Sequence, residues 1–502
     1  MHDSLRPLFE NGQVCAGPGR RLLLISYHFA PAQTAGALRW EKFSRYAIDR
    51  GWTLDVVMLH PSNLSVLDTT RLATLPPGIR VYGVPDLVPW AERLERRVWS
   101  LYRRIRPTGN TPGRNGLQAG VRAAALGSAR STGRAQSIGQ GQIAWSCRGL
   151  PGQLRRAYYA WLDYARQGQW ARAAADVALA LTTSRTYEAV ITCGPPHMAH
   201  EAGRRVAVKA GIPSIMDLRD PWSLVQRLPE AIASPVWLRL AARHEQRTIA
   251  HAALIVTNTD PARLALQARY PDAGSRIITA MNGYDEDPQP PSRHARRFTI
   301  AYAGAMYLDR DPRNLFKATA RVVRELGLGP SDLGIELMGD VETFDGVPTQ
   351  VIAADEGLDG FVGLKPLGTR REAAEFLAQG SLLVCLPQDS DMAIPSKIFE
   401  YMQFDAWILA LADRDSATEL LLRESEADVV APRDVEGLAA AIRKRYLQYA
   451  RGERPTRLAT GTRYSRQEQA RRLFEAIEGC LSPGRAARCR QIDTAVRSAI
   501  GS

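Results

Sequence analysis

Short apolar runs, each followed by a polar loop and then a helix-period segment, recur along this chain and restrict it to an open, mostly parallel α/β architecture. The first is Arg21 to Tyr27 (RLLLISY), followed by a loop through Gly36 and a predicted helix from Ala37 to Arg50. Gly51 stops that helix, and Thr53 to Leu59 (TLDVVML) is the next strand. A strand–helix–strand opening of this kind implies a right-handed crossover between parallel strands. Ile79 to Val84 reads as a third strand. The alternation lapses and returns at Tyr187, with strands at Glu188–Cys193, Pro213–Asp217, Ala253–Asn258 and Ile277–Met281. Pro288 to Pro291 (PQPP) reads as a linker. Beyond it the pattern starts afresh, with Phe298–Ala303, Gly334–Met338, Phe361–Leu364, Leu382–Leu386, Trp407–Leu411 and Val429–Ala431 as strands. The expected organisation is a leader (1–20), a domain (21–290), a second domain (291–464), a crossing helix (465–480) and a tail (481–502). The fold class is α/β: two doubly wound domains facing each other across a cleft.

Between the first three strands and Tyr187 the composition changes. From Val98 to Ala160 there is no Asp or Glu, while ten arginines fall in the same stretch. Its middle, about Pro107 to Gln142, is rich in Gly, Ser, Thr and Arg and is predicted to be disordered. Trp90, Leu94, Val98 and Leu101 before it, and Leu154, Tyr158, Trp161 and Leu162 after it, alternate with arginine. Basic, Trp-bearing amphipathic segments suit an anionic membrane surface, which would account for a formal net charge of +13. A solvated insertion without a partner is the alternative. No nucleic-acid-binding module accompanies the charge, so nucleic acid is not the expected partner.

No apolar run approaches the roughly 20 residues that cross a bilayer, and the N-terminus shows no signal-peptide core. The six cysteines are scattered without metal-ligand spacing, so reduced thiols and a cytoplasmic location are expected.

The stretch Ile394-Pro-Ser-Lys-Ile-Phe-Glu-Tyr-Met402 follows the strand Leu382–Leu386 and a polar loop. In open α/β sheets, ligands sit beyond the carboxyl ends of the strands, where helix N-termini favour anions. Pro395 suits a first helical turn, Lys397 supplies a cation, and Glu400 lies one turn on along the same face. One cation for a diphosphate and one carboxylate for ribose hydroxyls would suit a nucleotide-sugar. An ordinary amphipathic helix with solvated Lys and Glu is the competing reading.

Four blocks, LLLISYHFAPAQTAGALRW, CGPPHMAH followed by DLRDPW, IAYAGAMYLDRDPRNL, and IPSKIFEYM, occur in order, each at a strand end. Together they resemble the family-4-type retaining glycosyltransferases of the GT-B fold, in particular the bacterial branch that builds surface polysaccharides. The resemblance spans Arg21 to about Glu478 and leaves out the basic insertion. It implies two Rossmann-like domains and a donor site in the second, with Gly304, Arg310, Pro395, Ser396, Lys397 and Glu400 around the nucleotide diphospho-sugar. Lys397 and Arg310 match the family's diphosphate-binding cations and Glu400 its ribose-holding carboxylate. Two cations can neutralise the leaving diphosphate without a metal ion, so neither metal nor cofactor is expected. The first domain would hold a saccharide or lipid-linked acceptor, with Gly36, His197, Asp217, Arg219 and Asp220 on that side. His197 matches the family's active-site histidine and, with Lys397 and Arg310, forms the expected catalytic group. An Asp–Arg pair within DLRD is expected to pin its loop.

The chain departs from the pattern at Met392, where the family often carries a sugar-contacting glutamate, and in the loop PAQTAGA, which is poor in glycine. Asp389 or Asp391 could stand in for the missing carboxylate. The expected function is sugar transfer in surface-polysaccharide synthesis at the inner face of the plasma membrane. The alternative is a degenerate GT-B protein that binds nucleotide-sugar or a partner enzyme without turnover.

Overall fold

A computed structural model describes residues 6–12, 20–64, 67–86, 88, 92–93, 152–285, 289–290, 297–387 and 390–482. The chain divides into two compact units: Met1–Thr257 with Ala265–Thr279 and Ala470–Ser502, and Asn258–Leu264 with Ala280–Gln469. The predicted disordered middle of the basic insertion, its upstream flank, and Pro288 and Pro291 of the predicted linker lie outside the described residues.

In unit 1 the strands are β1 (Phe9–Glu10), β2 (Arg20–Ser26), β3 (Trp52–Leu59), β4 (Ile79–Val84), β5 (Ala189–Gly194), β6 (Ser214–Leu218), β7 (Ala252–Thr257) and β8 (Ile277–Thr279). They form one sheet in the order β1-β4-β3-β2-β5-β6-β7-β8, parallel except for β1. The order reverses between β2 and β5, a switch point of the kind where doubly wound sheets bind ligands. Register aligns Ser26 with Cys193 and Cys193 with Asp217, so the loops leaving β2, β5 and β6 emerge side by side. Leu22, Leu23, Leu24 and Ile25 are all fully buried. Covering both faces of β2 in this way explains its unbroken apolar run, and each such side chain contributes about 1.5–3 kcal/mol.

Helices α1 (Ala35–Asp49), α2 (Gly152–Ser184), α3 (Met198–Ala210) and α4 (Pro235–His251) belong to this unit. The 33-residue α2 begins within the acid-free stretch and runs nearly to Tyr187, where sequence reading has order resume. Its buried face, Ala171, Ala174, Ala175, Ala178 and Leu181, packs on α3. Alanine forms helices well but contributes little apolar contrast, which leaves the period faint in the sequence. Of the apolar residues flanking the insertion, Leu162 is buried, whereas Leu154 and Trp161 are exposed. The segment read as a loose leader also contains structure: β1 pairs with the edge of β4, and Arg80 bonds Glu10 at 2.7 Å.

Unit 2 carries a second parallel sheet, built from β9 (Phe298–Ala305), β10 (Leu333–Asp340), β13 (Val362–Lys365), β14 (Leu382–Cys385), β15 (Trp407–Leu411) and β16 (Asp428–Val430), after a small hairpin of β11 (Thr343–Phe344) and β12 (Val347–Pro348). Its order is β13-β10-β9-β14-β15-β16, again with a reversal, here between β9 and β14. Helix α5 (Asp260–Arg269) straddles the division between units; α6 (Arg313–Leu326), α7 (Arg370–Leu377), α8 (Ser396–Tyr401) and α9 (Val435–Ala450) follow within unit 2. Gly327, in the left-handed conformation, ends α6, as glycine does without steric cost. The last described helix, α10 (Arg466–Leu481), starts in unit 2 and ends in unit 1, where Glu478 accepts from Arg50 at 2.8 and 3.1 Å.

Candidate functional site

In unit 2, β9 ends at Ala305, one residue past Gly304, and the chain turns through Arg310 into α6, while the loop after β14 leads into α8 with Lys397 and Glu400. These two strands are neighbours at the reversal of the sheet. The Lys397 ammonium donates to the Tyr302 hydroxyl at 2.9 Å and lies 4.0 Å from the centre of its ring. Tyr302 in turn donates to the Ala305 carbonyl at 2.8 Å, which fixes the hydroxyl as an acceptor toward the lysine. Gly304 has φ +154°, and a Cβ there would overlap the Lys397 ammonium. The glycine therefore serves both a backbone shape and a notch for the cation.

Burial, and then the Arg310 guanidinium, lower the Lys397 pKa to about 7. Two cations held this near one another favour an anion between or beside them. Arg310 also lies over the Tyr307 ring, its guanidinium carbon 4.3 Å from the centroid. Burial drives the Tyr302 pKa upward, so the phenol stays protonated. Cys385, at the end of β14, is buried and its thiol is raised to about 11, mainly by burial.

Glu400 is half-buried and its carboxylate is 3.7 Å from Arg370 on α7. Arg370 also donates to Asp285 at 3.1 Å, and Asp285 accepts from the buried Arg466 at 2.6 Å. Sequence reasoning missed Tyr302, which stands in the block IAYAGAMYLDRDPRNL without a role assigned, and Arg370, which stands in no block; only folding brings them to Lys397 and Glu400. Helix α8 is six residues long with Pro395 at its N-cap, not in its first turn. So short a helix has little dipole to offer, and the positive charge at this strand end comes from Lys397 and Arg310. Ser396 opens the helix. At the position of the missing glutamate, the Met392 carbonyl accepts from the Thr259 hydroxyl at 2.6 Å. Asp391 is exposed and lines a hollow with Pro387, Ser390, Pro395 and Asp413; Asp389 lies outside the described residues.

In unit 1 the residues of CGPPHMAH and DLRDPW come together at the ends of β5 and β6. His197 is buried and stacks on Trp222, ring centres 5.1 Å apart. The Pro221 backbone bonds its ring, and burial followed by the neighbouring His200 holds its pKa well below the ordinary value. His200, missed in the sequence, is bonded through Nδ1 to the Thr192 hydroxyl at 2.8 Å, and burial lowers its pKa to about 3. His197 Nδ1 and His200 Nε2 converge on Gly194, and neither has a hydrogen-bond partner among the described residues.

The DLRD residues pair both within the block and beyond it. Asp217 is fully buried and accepts from Arg39 at 2.8 and 2.9 Å and from the Trp40 indole at 2.7 Å. The stronger pin is thus a tie between β6 and α1, drawn from residues 178 positions apart, beside the looser Arg219–Asp220 pair within the block. Arg219 is left with Asp220 at 3.6 Å and with the Pro195 carbonyl at 3.4 Å. Its guanidinium lies over Gly36, where a Cβ would overlap it.

No protein-family model matches the chain, and no curated protein matches its sequence. Solved structures do. Sucrose-phosphate synthase from Thermosynechococcus elongatus is 13% identical with a TM-score of 0.55, covering 96% of this chain and 100% of that one. Anabaena HepE, in complex with UDP-glucose, is 13% identical with a TM-score of 0.52, covering 91% and 99%. Trehalose 6-phosphate synthase from Burkholderia multivorans is 12% identical with a TM-score of 0.51, covering 96% and 98%. At these identities the likeness is one of fold. With a Rossmann-like sheet in each unit and these neighbours across nearly its whole length, the chain has the GT-B fold.

Proposed function

We propose that this protein is a glycosyltransferase that moves a sugar from a nucleotide diphospho-sugar to a saccharide or lipid-linked acceptor, with retention and without a metal ion, in cell-surface polysaccharide synthesis. The observation that carries the reading is the Lys397–Tyr302–Gly304 arrangement beside Arg310 at the strand ends of unit 2. The neighbours support it: HepE is named in complex with UDP-glucose, and two others are named as sugar-phosphate synthases. In this reading Lys397 and Arg310 take up the negative charge of the diphosphate as its bond to the anomeric carbon breaks. The acceptor hydroxyl forms the new bond on the same face, and its proton leaves with the departing phosphate. Glu400, oriented by Arg370, accepts from the ribose hydroxyls, and Pro395 and Ser396 shape the approach. On the acceptor side His197 hydrogen-bonds the sugar or acceptor near the reaction centre, while Gly36 and Asp217 act as structural supports around Arg219 and Asp220.

The test is donor consumption by the purified chain over a panel of nucleotide-sugars, with a membrane extract as acceptor source and with or without EDTA. Turnover that survives EDTA and drops at least about a hundredfold in Lys397→Ala is expected, the scale of losing a charge-stabilising group. Donor binding without turnover would favour the degenerate reading that Met392 suggests, and no donor binding would end both. Attachment to an anionic membrane belongs to the same proposal, carried by exposed Leu154 and Trp161 beside Arg155 and Arg156. Sedimentation with phosphatidylglycerol vesicles should fall when both arginines become Gln; no change would remove the membrane from the account.

A further inference from the structure

The Asp217–Arg39 tie has a consequence for its neighbour. Arg219 is largely but not fully buried, its side chain 14% exposed, and the Asp217 carboxylate two residues before it is already taken by Arg39 and Trp40. Asp220 is half-exposed and 3.6 Å away, beyond hydrogen-bonding distance. A buried guanidinium is normally matched by a hydrogen-bonded anion, because desolvating it alone is costly. Two imidazoles also stand near Arg219. His28, past the end of β2, has its pKa lowered to about 3 by burial and by Arg219, and its Nδ1 has no partner among the described residues. His197 feels the same guanidinium from the β5 side. Gly36 on the third loop keeps the space over the guanidinium clear of side chain. Among the described residues, three loops at the carboxyl ends of β2, β5 and β6 thus present a guanidinium held only by the Pro195 carbonyl at 3.4 Å and a looser, half-exposed Asp220, with two imidazoles whose charged form is disfavoured beside it.

We propose that unit 1 binds an anionic acceptor, a hydroxyl compound that also carries a phosphate monoester or a carboxylate, with Arg219 taking the anion and His28 a neighbouring hydroxyl. Naming the ligand an acceptor rests on the glycosyl-transfer reading; the anion site itself does not. Guanidinium binds both groups through paired N–H donors, which also orients the ligand.

The experiment is calorimetric titration of the full chain with glucose 6-phosphate, glucuronate and glucose as probes, in the wild type, Arg219→Gln, Arg219→Lys and Lys397→Ala. At least one of the anionic sugars should bind about tenfold or more tightly than glucose, and Arg219→Gln should remove that difference, the worth of one charge-assisted bond. Arg219→Lys should retain part of it. Lys397→Ala should keep it, because the anion is not in the diphosphate site. Vesicles of phosphatidylcholine with phosphatidic acid supply the same phosphate on a lipid; retention there that depends on Arg219 would assign the anion to a lipid carrier. Equal affinity for all three sugars in a Lys397→Ala background, with no Arg219-dependent vesicle binding, overturns the proposal even if Arg219→Gln fails to fold. So does loss of anion binding in Lys397→Ala with none in Arg219→Gln. UDP-glucose is titrated in parallel: if it fails to bind while the Arg219 selectivity stands, the glycosyl-transfer reading falls and the anion site remains.

Discussion

A lysine packed against a tyrosine and an arginine gives up its proton more readily than one in water. With its pKa at about 7 in the folded chain and about 10.4 when unfolded, Lys397 binds less proton folded than unfolded across that interval. The unfolded state then holds the extra proton, so stability rises with pH through the window and the effect vanishes below pH 7, where both states are protonated. Urea midpoints from pH 7 to 9.5 should show this rise in the wild type and a flatter profile in Lys397→Met. Coincident profiles would mean that the lysine titrates normally. A bound diphosphate reverses the preference by favouring the ammonium, so donor affinity should fall as pH climbs above 7. That local charge could be anticipated from the sequence at Lys397, but its poise could not. It depends on Tyr302, nearly a hundred positions earlier, and on a glycine whose missing side chain leaves the room.

Among elements, the tie of α1 to β6 through Arg39, Trp40 and Asp217 is the one that most shapes unit 1. Asp217→Ala strands a buried guanidinium and should cost about 3–5 kcal/mol, read by chemical denaturation; a loss under about 1 kcal/mol would show that the tie is dispensable. The strands were legible because central parallel strands covered on both faces must be mostly apolar, as β14 and β15 are throughout and β2 is from Leu22 to Ile25. Helix α2 was not, since its alanines signal helix by propensity and not by period, and its first turns lie in the acid-free stretch. The two-residue β1 carries no period at all; only its pairing with β4 makes it a strand. The partner of Asp217 was not legible for a related reason: only the crossover places Arg39, far back in the sequence, against it.

For the whole molecule, the motif order carried the architecture, and the neighbours at 12–13% identity bear out the GT-B fold that the motifs implied. Where the chain divides was less legible. Asn258–Leu264 groups with unit 2 although it precedes the predicted linker, in keeping with the Thr259 hydroxyl bonding the Met392 carbonyl. Its charge, +13 overall, is concentrated in part in an arginine-rich stretch, so ionic strength should be fixed in any binding measurement. The claim on which the functional account turns is that Lys397 and Arg310 grip a diphosphate. Calorimetric titration of the wild type, Lys397→Met and Glu400→Gln with UDP-glucose, GDP-mannose and the corresponding nucleoside diphosphates measures it directly. The account predicts that at least one nucleotide series binds the wild type and that Lys397→Met weakens it by about tenfold or more; binding that is unchanged in both variants would contradict it.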